Sequence, residues 1–395
     1  MSATTENPTI RPFTIETADD ELSDLRQRVA ETRWPEKEPV ADHSQGVQLA
    51  TIKELSRYWA SDYDWRQCEA KLNALPQFMT EIDGLDIHFI HVRSPHESAL
   101  PLIMTHGWPG SVIEPLTNPT AHGGTEADAF HLVIPSMPGY GYSGKPTETG
   151  WGPEHIAGAW AELMNRLGYS QFVAQGGDWG AVITDLMARQ APRGLLGMHT
   201  NMAGAVPPEV SKTINVIPTG IAPEGLSAEE EKAYQELNTF YTTGAGYAIE
   251  MGTQPQTIYG IADSPVGLAA WMINHDAASY DLIARAFAGQ PGGLSRDDVL
   301  DNVTLYWLTN TGISSSRLYW ENKLGFFDVK NVTIPAAVSV FPDDLYEPPR
   351  SWAQDAYQNL IYYNKADQGG HFAAWEQPRL FSDEVRAGFR PLRSA

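Results

Sequence analysis

The five residues Gly176-Gly177-Asp178-Trp179-Gly180 constrain this chain more than any other stretch. An apolar run, Phe172-Val173-Ala174, leads into them, and an amphipathic run, Ala181-Val182-Ile183-Thr184-Asp185-Leu186-Met187, leads out. Strand, sharp turn and helix are compressed into one segment, with small residues beside Asp178 where neighbouring Cβ atoms would collide. A carboxylate displayed on such a turn can attack carbon, forming an alkyl ester that water must then hydrolyse. Few reaction classes need that chemistry.

The rest of the chain supports an enzyme of substantial size. At 395 residues it exceeds the usual single core, so a core domain with a large insertion or appendage is expected. A net charge of -22 repels phosphate backbones and anionic lipid, which argues against nucleic-acid and membrane-surface roles. The 12 Trp and 16 Tyr suit an apolar ligand pocket. Cys68 is the only cysteine, so no internal disulfide can form, and its polar setting makes it a poor nucleophile. Met1 to Glu6 lack the basic and apolar regions of a signal peptide, and no apolar stretch is long enough to span a bilayer. A cytoplasmic protein without a membrane anchor is the expectation.

Hydrophobic patterning divides the chain into four parts. Residues 1–78 read as polar and helical, a meander expected to pack on the core. Residues 79–206 carry short apolar runs that end in Gly/Pro turns, read as buried strands of a mostly parallel sheet. They include Ile87 to Val92, Pro101 to Thr105, Phe130 to Ile134 and Leu195 to Thr200, with an Asp83-Gly84 turn before the first. Between them Ile156, Ala159, Trp160, Leu163, Met164 and Leu167 form one face of a helix that starts near Pro153 and closes at Gly168. Residues 207–327 lose the strand–helix alternation and predict a helical cap. Residues 328–395 resume it with strands over Ile334 to Phe341 and Asn359 to Tyr363. The fold class expected is α/β, an interrupted core with its reactive groups beyond the carboxyl ends of the strands.

The turn at Asp178 resembles the nucleophile elbow of the α/β-hydrolases, with aspartate in the place of serine. In that fold the chain order is nucleophile, acid, histidine. His371, on the Gly369-Gly370 turn after the last expected strand, stands where the general base belongs. Asp343 and Asp344 follow the preceding strand, and physics alone does not choose between them: one should turn inward to His371, the other to solvent. The alternative acid position after the sixth strand reads Thr200-Asn201-Met202, with no ionisable side chain. His106-Gly107-Trp108-Pro109-Gly110-Ser111 matches an oxyanion loop, in which the peptide N–H groups of Trp108 and Trp179 would hold developing negative charge.

Four motifs together resemble the epoxide hydrolases of the α/β-hydrolase fold, in their microsomal-type branch. They are the His106–Ser111 loop, the Gly176–Gly180 elbow, Ser264-Pro265-Val266-Gly267-Leu268-Ala269-Ala270-Trp271, and Gly369-Gly370-His371-Phe372-Ala373-Ala374-Trp375-Glu376. The resemblance places the acid at Asp344, where many such enzymes carry glutamate. It assigns two cap tyrosines, Tyr247 and Tyr319, as donors to the epoxide oxygen. Tyr234, Tyr241, Tyr259, Tyr280 and Tyr306 are left as packing or rim residues. It implies conversion of an epoxide to a vicinal diol through an ester on Asp178, hydrolysed by water that His371 activates. It implies no metal and no organic cofactor, a bulky apolar or aromatic small-molecule substrate, a soluble enzyme and a possible homodimer.

Two rivals share parts of this pattern. A haloalkane-type dehalogenase uses the same nucleophile and base, but needs halide-stabilising N–H donors in place of paired phenols. A non-catalytic binding protein on the same scaffold would be expected to lose a member of the set, and every member is present here. No G-x-S-x-G sequence supports a serine esterase.

Overall fold

The structure is a computed structural model that describes residues 9–105, 110–214, 221–290 and 293–393. Nine strands form one sheet among the described residues: β1 (Arg11–Pro12), β2 (Gln77–Ile82), β3 (Leu85–Val92), β4 (Leu100–Thr105), β5 (Phe130–Pro135), β6 (Phe172–Gly176), β7 (Leu195–Thr200), β8 (Val332–Val340) and β9 (Tyr357–Lys365). Their order is β1-β2-β3-β5-β4-β6-β7-β8-β9. β1, β2, β3 and β5 pair antiparallel, and from β5 to β9 every pairing is parallel. This is the α/β-hydrolase fold, a mostly parallel mixed sheet with many helices and a cap region.

The two-residue period of the strands sorts their side chains onto two faces. Ile103, Val133 and Ala174 point to one face, under the helices Pro153–Arg166 and Trp179–Gln190. Their neighbours Leu102, Met104, Leu132, Ile134 and Val173 point to the other, under Phe381, Val385 and Phe389 of the helix Pro378–Phe389. Burial on both faces explains why these strands read as unbroken apolar runs. The helix expected near Pro153 begins there, buries the predicted face and ends before Gly168, which adopts φ +83°.

The amino-terminal strands depart from expectation. Residues from about Arg11 to Gln77 were expected to be helical and polar with turns, yet Arg11–Pro12 pairs with Phe78 and Met79, and β2 begins at Gln77. Gln77-Phe78-Met79-Thr80-Glu81-Ile82 lacks clean alternation because most of its residues are buried whichever face they occupy. The Asp83-Gly84 turn is as expected: both residues have positive φ, +49° and +80°, the geometry of a two-residue hairpin.

The helical meander also packs differently. Its apolar face, with Leu22, Leu25, Ile52, Leu55, Trp59 and Trp65, buries against Val266, Ile273, Ile283, Phe287, Val299 and Val303 of the cap. The expectation was packing on the core. Polar bonds reinforce the junction. Trp59 Nε1 donates to Thr304 Oγ1 at 2.9 Å and the Tyr63 hydroxyl to Asp301 Oδ1 at 2.8 Å. At the cap's neck, Val206 N–H donates to the Phe327 carbonyl at 2.9 Å, so the chain leaves and re-enters the sheet through paired backbone.

Trp59 is 2% exposed and bridges two segments of distant sequence. Its replacement, Trp59→Ala, is expected to destabilise the protein by about 3–5 kcal/mol through lost burial and an orphaned Thr304 hydroxyl. Urea unfolding of both proteins measures the difference, and a change under about 1 kcal/mol would show that the junction is not cooperative with the core.

Candidate active site

Asp178 sits two residues beyond the pairing end of β6, with φ +50° and ψ -127°. A non-glycine residue in that region carries strain of about 1–3 kcal/mol and persists only where its surroundings impose it. The surroundings are visible. A Cβ on Gly176 would lie 2.0 Å from the Gly180 carbonyl oxygen, and one on Gly177 would lie 2.6 Å from Asn201 Oδ1. Strand and helix approach so closely that only hydrogen fits between them, and the nucleophile is pushed out onto the turn. Trp179 opens the helix Trp179–Gln190, and first-turn N–H groups lack intrahelical acceptors.

Two loops beyond the carboxyl ends of β8 and β9 bring the other charges. His371 Nδ1 lies 2.8 Å from Asp344 Oδ1, and its Nε2 lies 3.3 Å from Asp178 Oδ2. Asp344 is thus the inward member of the acidic pair. Asp343 is exposed, and its backbone N–H donates to the Gly369 carbonyl, tying the two loops together. The loop carrying His371 has a second clamp that the sequence reading missed. The Glu376 carboxylate accepts from the N–H groups of Gly370 and Phe372, at 2.8 and 3.0 Å, on either side of the histidine. Burial pushes that carboxyl up to about 7 against these bonds.

His371 is buried, and desolvation alone would lower its pKa. The Asp344 charge and the bonds and charge of Asp178 outweigh it and hold the imidazole well above its ordinary value. The resting site is therefore an ion pair between a protonated His371 and two carboxylates.

A cavity of about 320 Å³ opens over Asp178. Tyr247 and Tyr319 from the cap line it together with Trp179 and His371, and their rings lie 6.2 Å apart, edge to face. Burial, and then neighbouring phenol and Asp178 charge, hold both phenols well above their ordinary range, so they stay protonated donors. Of the tyrosines read as packing or rim, Tyr234 is fully buried in the core and Tyr259 is exposed, whereas Tyr306 lines the cavity. Tyr140 lines it too and was not singled out in sequence, although it follows β5 on a Gly/Pro turn.

His275 is the other residue missed. Its Nε2 lies 2.9 Å from the Tyr247 hydroxyl, its Nδ1 lies 3.0 Å from Asp276 Oδ2, and its ring stacks on His371 at 4.3 Å. Asp178, His275 and His371 bring ligand-type atoms within 4.8 Å of one another. Both imidazoles already spend both ring nitrogens on neighbours, which leaves none for an ion. Trp108, expected in the oxyanion loop, lies outside the described residues.

No helix among the described residues is long and apolar enough to cross a membrane. Residues 10–115 match the family model described as epoxide hydrolase N terminus, and residues 101–221 that of the alpha/beta hydrolase fold. A Stigmatella aurantiaca protein named "Putative epoxide hydrolase" is 49% identical, over 98% of this chain and 86% of its own. Epoxide hydrolase 1 of Oryctolagus cuniculus is 35% identical, over 96% of this chain and 88% of its own. The crystal structure of juvenile hormone epoxide hydrolase from the silkworm Bombyx mori superposes with a TM-score of 0.84 at 28% identity, covering 98% of this chain and 95% of that one. With Asp178 and His371 joined over the cavity, the chain belongs to the microsomal-type epoxide hydrolases of the α/β-hydrolase fold, hydrolases of an ether bond.

Proposed function

We propose that the enzyme opens a bulky, apolar epoxide in two half-reactions. Asp178 attacks an epoxide carbon, the carbon–oxygen bond breaks, and Tyr247 or Tyr319 gives its proton to the departing oxygen. Water then attacks the carboxyl carbon of the ester, losing its proton to His371, and the diol leaves with Asp178 restored. Asp344 orients His371 and balances its charge. The N–H of Trp179, and that of Trp108, hold the oxyanion of the second step. The cap, proposed as residues 207–327, supplies both phenols and the apolar wall. Trp271, Met251, Met272 and Ile283 on that wall favour an aryl or long alkyl substituent.

One observation carries this reading: a single imidazole bonded to both carboxylates, one of them on the strained turn. The arrangement also times the chemistry. While Asp178 is charged it helps to keep His371 protonated, and protonated His371 cannot act as a base. Esterification removes that charge, the imidazole becomes more acidic and releases its proton to solvent, and the neutral ring can then take a proton from water.

Three outcomes are expected. His371→Gln should retain the first half-reaction and stall the second, so intact-protein mass spectrometry after mixing with styrene oxide should show the enzyme plus one substrate. An unmodified mass during a single turnover would sink the ester. Tyr247→Phe and Tyr319→Phe should each slow ring opening by about tenfold to a hundredfold, with the double variant nearly inactive, as read by stopped-flow tryptophan fluorescence. Asp344→Asn removes a charge that raises the His371 pKa. The fall in ester hydrolysis on acidification should therefore move to lower pH than in the parent, alongside a slower maximal rate; an unmoved or raised midpoint would contradict the assignment.

A further inference from the structure

Beyond the pair of carboxylates on His371, the site contains a second imidazole with a carboxylate of its own. Asp276 caps the helix Ala277–Phe287: its Oδ1 accepts from Ser279 N–H at 2.8 Å, while Oδ2 faces His275 Nδ1. Burial would raise this carboxyl, but the hydrogen bond and charge of His275 outweigh it and hold Asp276 well below the usual carboxylate range. An ionised Asp276 takes the Nδ1 hydrogen of His275. The Nε2 edge then decides what Tyr247 can do. Unprotonated, Nε2 accepts the phenolic hydrogen and points it away from substrate. Protonated, Nε2–H donates to the phenolic oxygen, and the Tyr247 hydrogen is released to the cavity.

We propose that His275, oriented by Asp276, is the proton reservoir of Tyr247: it turns the phenol toward the epoxide and restores the proton that the phenol gives away. The proposal rests on the reading of Tyr247 as a donor to the epoxide oxygen. In the first half-reaction an Asp178 oxygen bonds to carbon as the epoxide carbon–oxygen bond breaks. The Tyr247 proton moves to the alkoxide, and the His275 Nε2 proton moves to the Tyr247 oxygen. A phenolate, costly in a buried site where the phenol is already shifted upward, never accumulates. His275 ends neutral. In the second half-reaction His371 takes a proton from the attacking water. His371 had released its resting proton to solvent once the ester removed the Asp178 charge, so this proton restores it, while His275 regains one from solvent, and both imidazoles are back in their starting states. Across the cycle one water is consumed and no net proton is exchanged.

The groups facing His275 come from five other elements. Tyr247 stands on the helix Gly246–Thr253, Tyr319 behind it on Gly312–Glu321, and Asp178 at the elbow. His371 lies on the loop after β9, and Glu376, at the end of the short helix that follows, is raised by the charge of Asp276. His275 is thus a positioning residue, since it reaches the substrate through Tyr247.

The test separates the two half-reactions of the full-length enzyme on styrene oxide. His275→Gln should slow ring opening by about a hundredfold, while ester hydrolysis stays within about threefold. Asp276→Asn, which preserves shape, should slow ring opening by about tenfold and guards against a folding defect in the first variant. His275→Gly should be rescued by added imidazole in proportion to its protonated fraction, because the side chain it replaces lines the cavity. An equal loss in both half-reactions with no rescue would mean that His275 only packs, and would overturn the proposal. So would an unchanged rate of ring opening in His275→Gln. If Tyr247→Phe is itself without effect, the underlying reading fails; if it is slow while the His275 and Asp276 variants are not, only the reservoir fails.

Discussion

The site depends on the contact between β6 and the helix that follows it. At Gly176 the approach is so close that a single methyl group would overlap the Gly180 carbonyl, and the backbone between them has no relaxed path. Asp178 absorbs the difference by taking a positive φ. The strain is local, but the restraint is the whole core: β6 lies between β4 and β7, and the helix is buried along most of its length. An aspartate on a flexible loop could adopt the same position, yet it would also adopt many others. Here the carboxylate is presented to the cavity as a consequence of folding.

Electrostatics follows from that placement. Three carboxylates, Asp178, Asp344 and Asp276, converge on two stacked imidazoles, none of these side chains more than 12% exposed. Buried charges of one sign would be intolerable, and alternation with histidine makes the cluster stable. The same alternation makes it responsive, because removing one charge alters the basicity of its neighbours. A site that must first use a carboxylate as a nucleophile and then use water needs such a change of state between steps.

Much of this was legible in the sequence because its causes are local. The glycines around Asp178 announce a turn that tolerates no Cβ, and the runs at β4 to β7 announce strands covered on both faces. The choice between Asp343 and Asp344 was not local. It is settled by the bond between Asp343 and Gly369, which fixes how the two loops meet. His275 was unreadable for a related reason: nothing in the short turn between two helices that carries it distinguishes it, and its meaning comes from Tyr247 and His371 arriving from elsewhere beside Asp276. The Tyr247 and Tyr319 pair came from family resemblance rather than from pattern, since the cap holds many tyrosines in similar surroundings. The meander's preference for the cap over the sheet is equally a property of the assembled surfaces.

That preference affects how small molecules pass in and out. The inserted helices are joined at their neck by the Val206–Phe327 backbone bond and fastened along another flank by Trp59 and Tyr63. Bonds along two margins oppose a hinge-like swing of the whole cover. Rotation of individual wall side chains breaks none of these bonds, and so opens a path to the buried carboxylate at lower cost than moving the whole covering layer.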